Sequence, residues 1–168
     1  QTSPSDQRFL PGLVPGYMAV DNPFQFPPKT LKDNGEMAWH PGFEWAGGGL
    51  VSNSEDLARW GWYLFRGKAL PYPYLDELLK SVPINKESGE IQYAAGVAIY
   101  EKSPYGPVYG HGGWIPGYCS SLRYYTEYGI SIAFQINSDA DLMNDPDQAI
   151  PEIESCLAEI VIKSNPTK

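Results

Sequence analysis

Tyr109-Gly110-His111-Gly112-Gly113-Trp114-Ile115-Pro116-Gly117-Tyr118 is the stretch on which the fold of this chain turns. Four glycines and a proline surround one histidine, and strand-like sequence follows from Cys119 to Tyr125. Glycine at this density means that something approaches the backbone closely, or that the chain takes φ values other residues avoid. Two readings are open on spacing alone. One is a glycine-rich turn with an incidental histidine. The other is a site where an imidazole stands beside backbone N–H groups able to hold an anion or oxyanion.

Strand patterns flank this stretch at 93–100, 107–111, 119–125 and 130–136, the last with clean apolar alternation. Thr126–Gly129 is a short turn, so the last two strands are expected to form a hairpin. A helix is predicted from about 148 to 163. Pro151 falls in its first turn, where a missing N–H does no harm. Asp145, Asp147, Glu152 and Glu154 crowd its positive end. Ile150, Ile153, Leu157, Ile160 and Val161 form a stripe expected to lie on the sheet.

Upstream, residues 1–49 carry too many prolines for long helices, yet Phe9, Met18, Phe24, Phe26, Trp39 and Trp45 are too apolar for a solvated linker. An irregular segment packed along a core is expected. A helix is predicted from near 53, with Ser52 and Glu55 as a capping box and Leu57, Trp60 and Leu64 at helical spacing. Gly67 closes it as a left-handed cap. A second helix, around 73–81, carries Leu75, Leu78 and Leu79. The sum is an α+β fold: an antiparallel sheet of about four or five strands with a C-terminal helix packed on it. Residues 1–168 read as a single domain, irregular and helical over 1–90, sheet plus helix over 91–168.

Composition narrows the function. The 168 residues carry a net charge of −8, which argues against nucleic acid and against docking on anionic lipid. No apolar run approaches the ~20 residues of a membrane-spanning helix. Gln1-Thr2-Ser3-Pro4-Ser5-Asp6 has neither the basic region nor the apolar run of a secretory signal. Cys119 and Cys156 form no metal motif, and one disulfide or two buried free thiols remain open. With His40 and His111 as the two histidines, no metal site is expected. The acidic run from Asp139 to Asp147 matches a calcium loop loosely: the central glycine is missing and Ile150 stands at the twelfth position. A solvated acidic turn is expected there.

The order of segments resembles a known family. Trp45-Ala46-Gly47-Gly48-Gly49-Leu50-Val51-Ser52-Asn53-Ser54-Glu55-Asp56-Leu57 is similar to a signature of the serine β-lactamase-like family, in which a glycine-rich turn leads into a Ser-x-x-x-Asp-Leu helix. That family holds class C β-lactamases, D-Ala-D-Ala carboxypeptidases, which are penicillin-binding proteins, and esterases. Gly110-His111-Gly112-Gly113-Trp114 looks like its third active-site box, Ile136-Asn137-Ser138-Asp139 like the end of the following hairpin, and Pro15-Gly16-Tyr17 like its Gly-Tyr element.

The resemblance implies a serine hydrolase acting on an amide or ester: a β-lactam, a D-Ala-D-Ala peptide or a small ester. It implies no cofactor, a small-molecule or peptide substrate, and a periplasmic or secreted location. Trp114 would offer its backbone N–H to the oxyanion and its ring to the substrate rim. His111 replaces the family's frequent lysine and would steady a tyrosine or a substrate carboxylate. Gly112 and Gly113 would keep the strand edge bare for substrate. The family's other two boxes are Ser-x-x-Lys and Tyr-x-Asn. No serine here has Lys at +3, and no tyrosine has Asn at +2. The chain therefore reads as the C-terminal portion of a larger hydrolase, inactive alone, whose uncovered sheet edge could pair with a second copy. Ser120 and Ser121 read as strand hydroxyls, His40 as a loop residue, and Tyr17 and Tyr118 as packing residues. The alternatives are a non-catalytic binding module, with aromatic side chains stacking on sugars, and a pseudoenzyme subunit.

Overall fold

The computed structural model describes residues 8–85, 90–140 and 146–165. After a 3-10 turn at Pro41–Phe43 come α1 (Trp45–Gly48), α2 (Ser54–Phe65) and α3 (Tyr74–Leu78). Then follow β1 (Val82–Pro83), β2 (Ile91–Tyr93), β3 (Ala98–Tyr100), β4 (Val108–Ile115), β5 (Tyr118–Tyr125), β6 (Ile130–Ile136) and α4 (Pro146–Ser164). The six strands form one antiparallel sheet in chain order, in line with the α+β expectation.

The chain divides into two compact units. One comprises Gln1–Asn53, Gly113–Ser120 and Gln135–Pro151; the other comprises Ser54–Gly112, Ser121–Phe134 and Glu152–Lys168. In the second unit the sheet is covered on both faces. Phe65, Ile99 and Tyr124 cluster on one face with Trp62 and Tyr109. Val108, Tyr125, Ala158 and Ile162 cluster on the other with Tyr100 and Ile132. Successive strand residues point to opposite faces, so the pairs 99/100, 108/109 and 124/125 feed both layers. Sequence placed only the C-terminal helix on the sheet; α2 covers the other side. Gly61 lets it come close, because a Cβ there would lie 2.7 Å from Leu122 and Ser131 side-chain atoms. Trp60, expected on the apolar stripe, is 52% exposed.

Helix ends follow local chemistry. The Gly67 N–H donates to the Leu64 carbonyl and the Lys68 N–H to the Tyr63 carbonyl, with Gly67 at φ +69. That is a Schellman closure of α2. The expected capping-box residues turn elsewhere: the Ser52 hydroxyl donates to the Asn53 carbonyl, and Glu55 pairs with Arg59 one turn on. In α4 the helix starts at Pro146, so that proline takes the first position and Pro151 falls inside, not in the first turn as expected. Among the described residues of α4, Ala158 and Ile162 are buried and Ile160 points out. The stripe is thus rotated, because Glu154 turns inward to Arg123: Oε1 lies 3.0 Å from Nη2, and Nε donates to Oε2 at 3.1 Å.

The first unit is built from irregular chain, as its prolines require. Single bridges join Phe9 to Glu36, Tyr17 to Lys29, Leu31 to Met37 and, in parallel, Tyr17 to Ser138. Met18, Met37, Trp39 and Cys119 are buried. Gly16 is required here: a Cβ would press into the Gly117 carbonyl and the Tyr118 ring. The Tyr118 hydroxyl donates to the Val14 carbonyl and bonds Thr30 Oγ1, which accepts the Gly16 N–H.

Candidate active site

The glycine-rich stretch is a strand, not a turn. β4 runs unbroken through Gly110, His111, Gly112, Gly113 and Trp114, and the turn is only Pro116-Gly117, with Gly117 at φ +87. Glycine is needed at 110 because a Cβ would collide with the Leu122 backbone carbonyl. At 113 it would press on the Ser120 hydroxyl. Close approach of β5, not turn geometry, explains Gly110 and Gly113.

β3 pairs with β4 from Val108 to Gly110, through Tyr100↔Val108, Ile99↔Tyr109 and Ala98↔Gly110. β3 stops there and β4 continues, so His111 comes just past the end of its neighbour's ladder. Its side chain is exposed. Nδ1 lies against the Gly112 carbonyl oxygen. A carbonyl only accepts, so in the neutral ring the proton sits on Nδ1. Nε2 is then an acceptor, and the Tyr93 hydroxyl donates to it at 2.7 Å. The two rings meet edge to face, with centroids 5.7 Å apart.

Tyr93 is the residue that sequence reasoning missed. Reading 93–100 as one strand sent it along a continuous extended segment of about 26 Å, away from Gly110. The chain instead reverses: Ala94 N–H donates to Val97 O, Gly96 takes φ +76, and Tyr93 pairs with Ala98. The Ala-Gly step was the available signal for that turn.

Trp114 is 41% exposed, and its indole N–H donates to Asp139 Oδ2 at 2.9 Å. The Gly117 N–H donates to the same oxygen at 3.1 Å. Asp139 is buried. Read from sequence as the start of a solvated acidic turn, it is an internal acceptor that fixes the hairpin and the Trp114 ring; residues 141–145 of that run lie outside the described residues.

Other candidates fall into structural roles. Ser121 is buried and donates to Glu154 Oε1 at 2.5 Å. His40 is an exposed loop residue whose Nδ1 accepts the Gly42 N–H. Of the two states left open by the sequence, neither holds in full: both cysteines are free thiols, Cys119 buried but Cys156 exposed. Burial, and then the nearby Asp139, pushes the Cys119 thiol up to about 11, which makes it a poor nucleophile at neutral pH.

Comparison with known proteins fits this architecture. The family model described as Beta-lactamase matches residues 3–154. A D-stereospecific amidohydrolase from Streptomyces sp. is similar at 28% identity and TM-score 0.66, over 81% of this chain and 38% of that one. A D-amino acid amidase from Ochrobactrum anthropi aligns at 22% identity and TM-score 0.60, over 83% and 43%. A penicillin-binding protein from Bacillus halodurans aligns at 19% identity and TM-score 0.55, over 82% and 39%. The last two share the fold. The chain spans about two fifths of the length of these structures. A search of curated proteins gave no match.

Proposed function

Because the chain belongs to the β-lactamase family of serine hydrolases, we propose that it contributes one wall of an acyl-transfer site. The reaction is hydrolysis of an amide, with an amino-acid amide or short peptide as the substrate class, in keeping with the amidohydrolase likeness. The observation that carries this reading is His111: exposed, past the end of β3, followed by two glycines, and oriented by Tyr93.

In this reading a serine hydroxyl attacks the substrate carbonyl, its proton passes to a lysine, and the carbonyl becomes a tetrahedral oxyanion. The Trp114 backbone N–H is one donor to that oxygen; removing such a donor costs roughly 3 kcal/mol of barrier. Collapse expels the protonated amine, and water then releases the acid from the acyl-enzyme. His111 binds the substrate carboxylate or the companion tyrosine, and Gly112 and Gly113 admit substrate along the backbone. The serine, lysine and tyrosine belong to polypeptide other than residues 1–168, since no serine here has Lys at +3.

The chain alone is therefore expected to be silent toward a D-amino-acid p-nitroanilide, a chromogenic cephalosporin and a p-nitrophenyl ester. Turnover above buffer that disappears when one of its own serines is replaced would overturn the proposal. The same reading leaves β6, last in the sheet order, as an edge for a second copy of the chain. Sedimentation at tens of micromolar is expected to show dimer; a strict monomer would reject that part.

A further inference from the structure

The turn at residues 22–26 is strained and heavily fastened. Gln25 has φ +54, a conformation that non-glycine residues seldom take. Asn22 holds it in place. Its side-chain amide donates to the Ala19 and Phe26 carbonyls at 3.0 and 2.8 Å. Its Oδ1 accepts the Phe26 N–H at 3.1 Å, and its own carbonyl accepts the Gln25 N–H at 3.0 Å.

The turn presents two phenyl rings, and the stacking continues beyond them. Phe24 and Phe26 stack at 5.6 Å, Phe26 and Trp39 at 6.0 Å, and Phe24 meets Trp114 at 5.7 Å with a 32° tilt. The row begins in the core at Trp39 and ends in solvent, with Phe24 45% exposed. Both outer rings are held in position, Phe24 by the Asn22 turn and Trp114 by the buried Asp139. Folding alone favours covering such rings, not straining a turn to display them. A fixed, solvent-facing aromatic pair is a prepared binding face, since little ordering entropy remains to be lost.

We propose that Phe24 and Trp114 form a subsite for an aromatic side chain. Naming the attached group as an amino-acid amide rests on the acyl-transfer reading; the ring subsite itself does not. The indole N–H of the platform is not free for a sugar. Sugar hydroxyls need polar partners, and the Trp114 N–H is already engaged by Asp139.

The test is a 1H–15N NMR titration of the 168-residue chain with D-phenylalaninamide and D-alaninamide, read at the Trp114 indole N–H and at the backbone amides of Gly113 and Trp114. D-phenylalaninamide is expected to bind at least about 10-fold more tightly than D-alaninamide, within the range an apolar pocket gives for added apolar bulk. Phe24→Ala is expected to bring the two within about two-fold, and Phe24→Leu to leave an intermediate preference. A wild-type ratio near one, a ratio unchanged by Phe24→Ala, or a stronger indole response to methyl glucoside than to D-phenylalaninamide would overturn the subsite. A preference that Phe24→Ala removes, with the Gly113 and Trp114 backbone amides still, supports the subsite and rejects acyl transfer. Shifts of those amides by both probes with equal affinity do the reverse.

Discussion

At the residue scale, the chemistry of His111 is set by a partner 18 positions earlier. The Tyr93 hydroxyl and the Gly112 carbonyl together hold the imidazole by both nitrogens. Tyr93→Phe is expected to move the His111 Nε2 15N resonance while Nδ1 keeps the position of a protonated nitrogen; an Nε2 resonance indifferent to the change would refute the pairing. His111 and its glycines were legible in sequence because they are contiguous. Tyr93 was not, because its place depends on how many residues the 94–97 reversal takes up. Asp139 was misread for a related reason. An acidic residue in an acidic run looks solvated until two N–H groups are found converging on one oxygen.

At the element scale, periodicity found β4, β5, β6 and both long helices, but it missed β1, merged β2 with β3, and did not give the lengths or faces governed by distant contacts. β4 continues through glycines because β5 must approach it at Gly110, which no local propensity reports. The face of α4 is set by Glu154. Its carboxylate takes two hydrogen bonds, from Ser121 and from Arg123 Nε, and Arg123 Nη2 also lies 3.0 Å from it, so the polar residue turns inward and Ile160 outward. Glu154→Ala leaves the buried Arg123 unpaired and is expected to cost about 3 kcal/mol in urea unfolding. Glu159→Ala, which removes an exposed pair with Lys163 on the same helix, is expected to move the midpoint little. Equal effects of the two substitutions would show that the Arg123 pair does not hold α4 to the sheet.

At the scale of the whole molecule, buried acids that ionise only at high pH set an alkaline limit. Burial, and then Asp139, raises Cys119 from 9.0 to about 11, and burial, then Glu154, raises Tyr125 from 10.0 to about 12. In both cases the folded chain favours the neutral form, so the unfolded chain loses its proton first. The stabilisation is complete below pH 9 and is lost as pH rises through 11 and 12. Unfolding midpoints are expected to fall over that interval, less steeply in Tyr125→Phe; a midpoint constant from pH 9 to 11 would contradict the burial of both groups. The acyl-transfer reading also belongs to this scale, because it places the nucleophile outside residues 1–168. Its most direct test joins residues 1–168 to upstream polypeptide bearing a Ser-x-x-Lys and a Tyr-x-Asn, and compares kcat/KM for a D-amino-acid p-nitroanilide with and without His111→Ala. A loss of about 100-fold is predicted, in the range of a positioned catalytic group; turnover that the substitution leaves unchanged would contradict it.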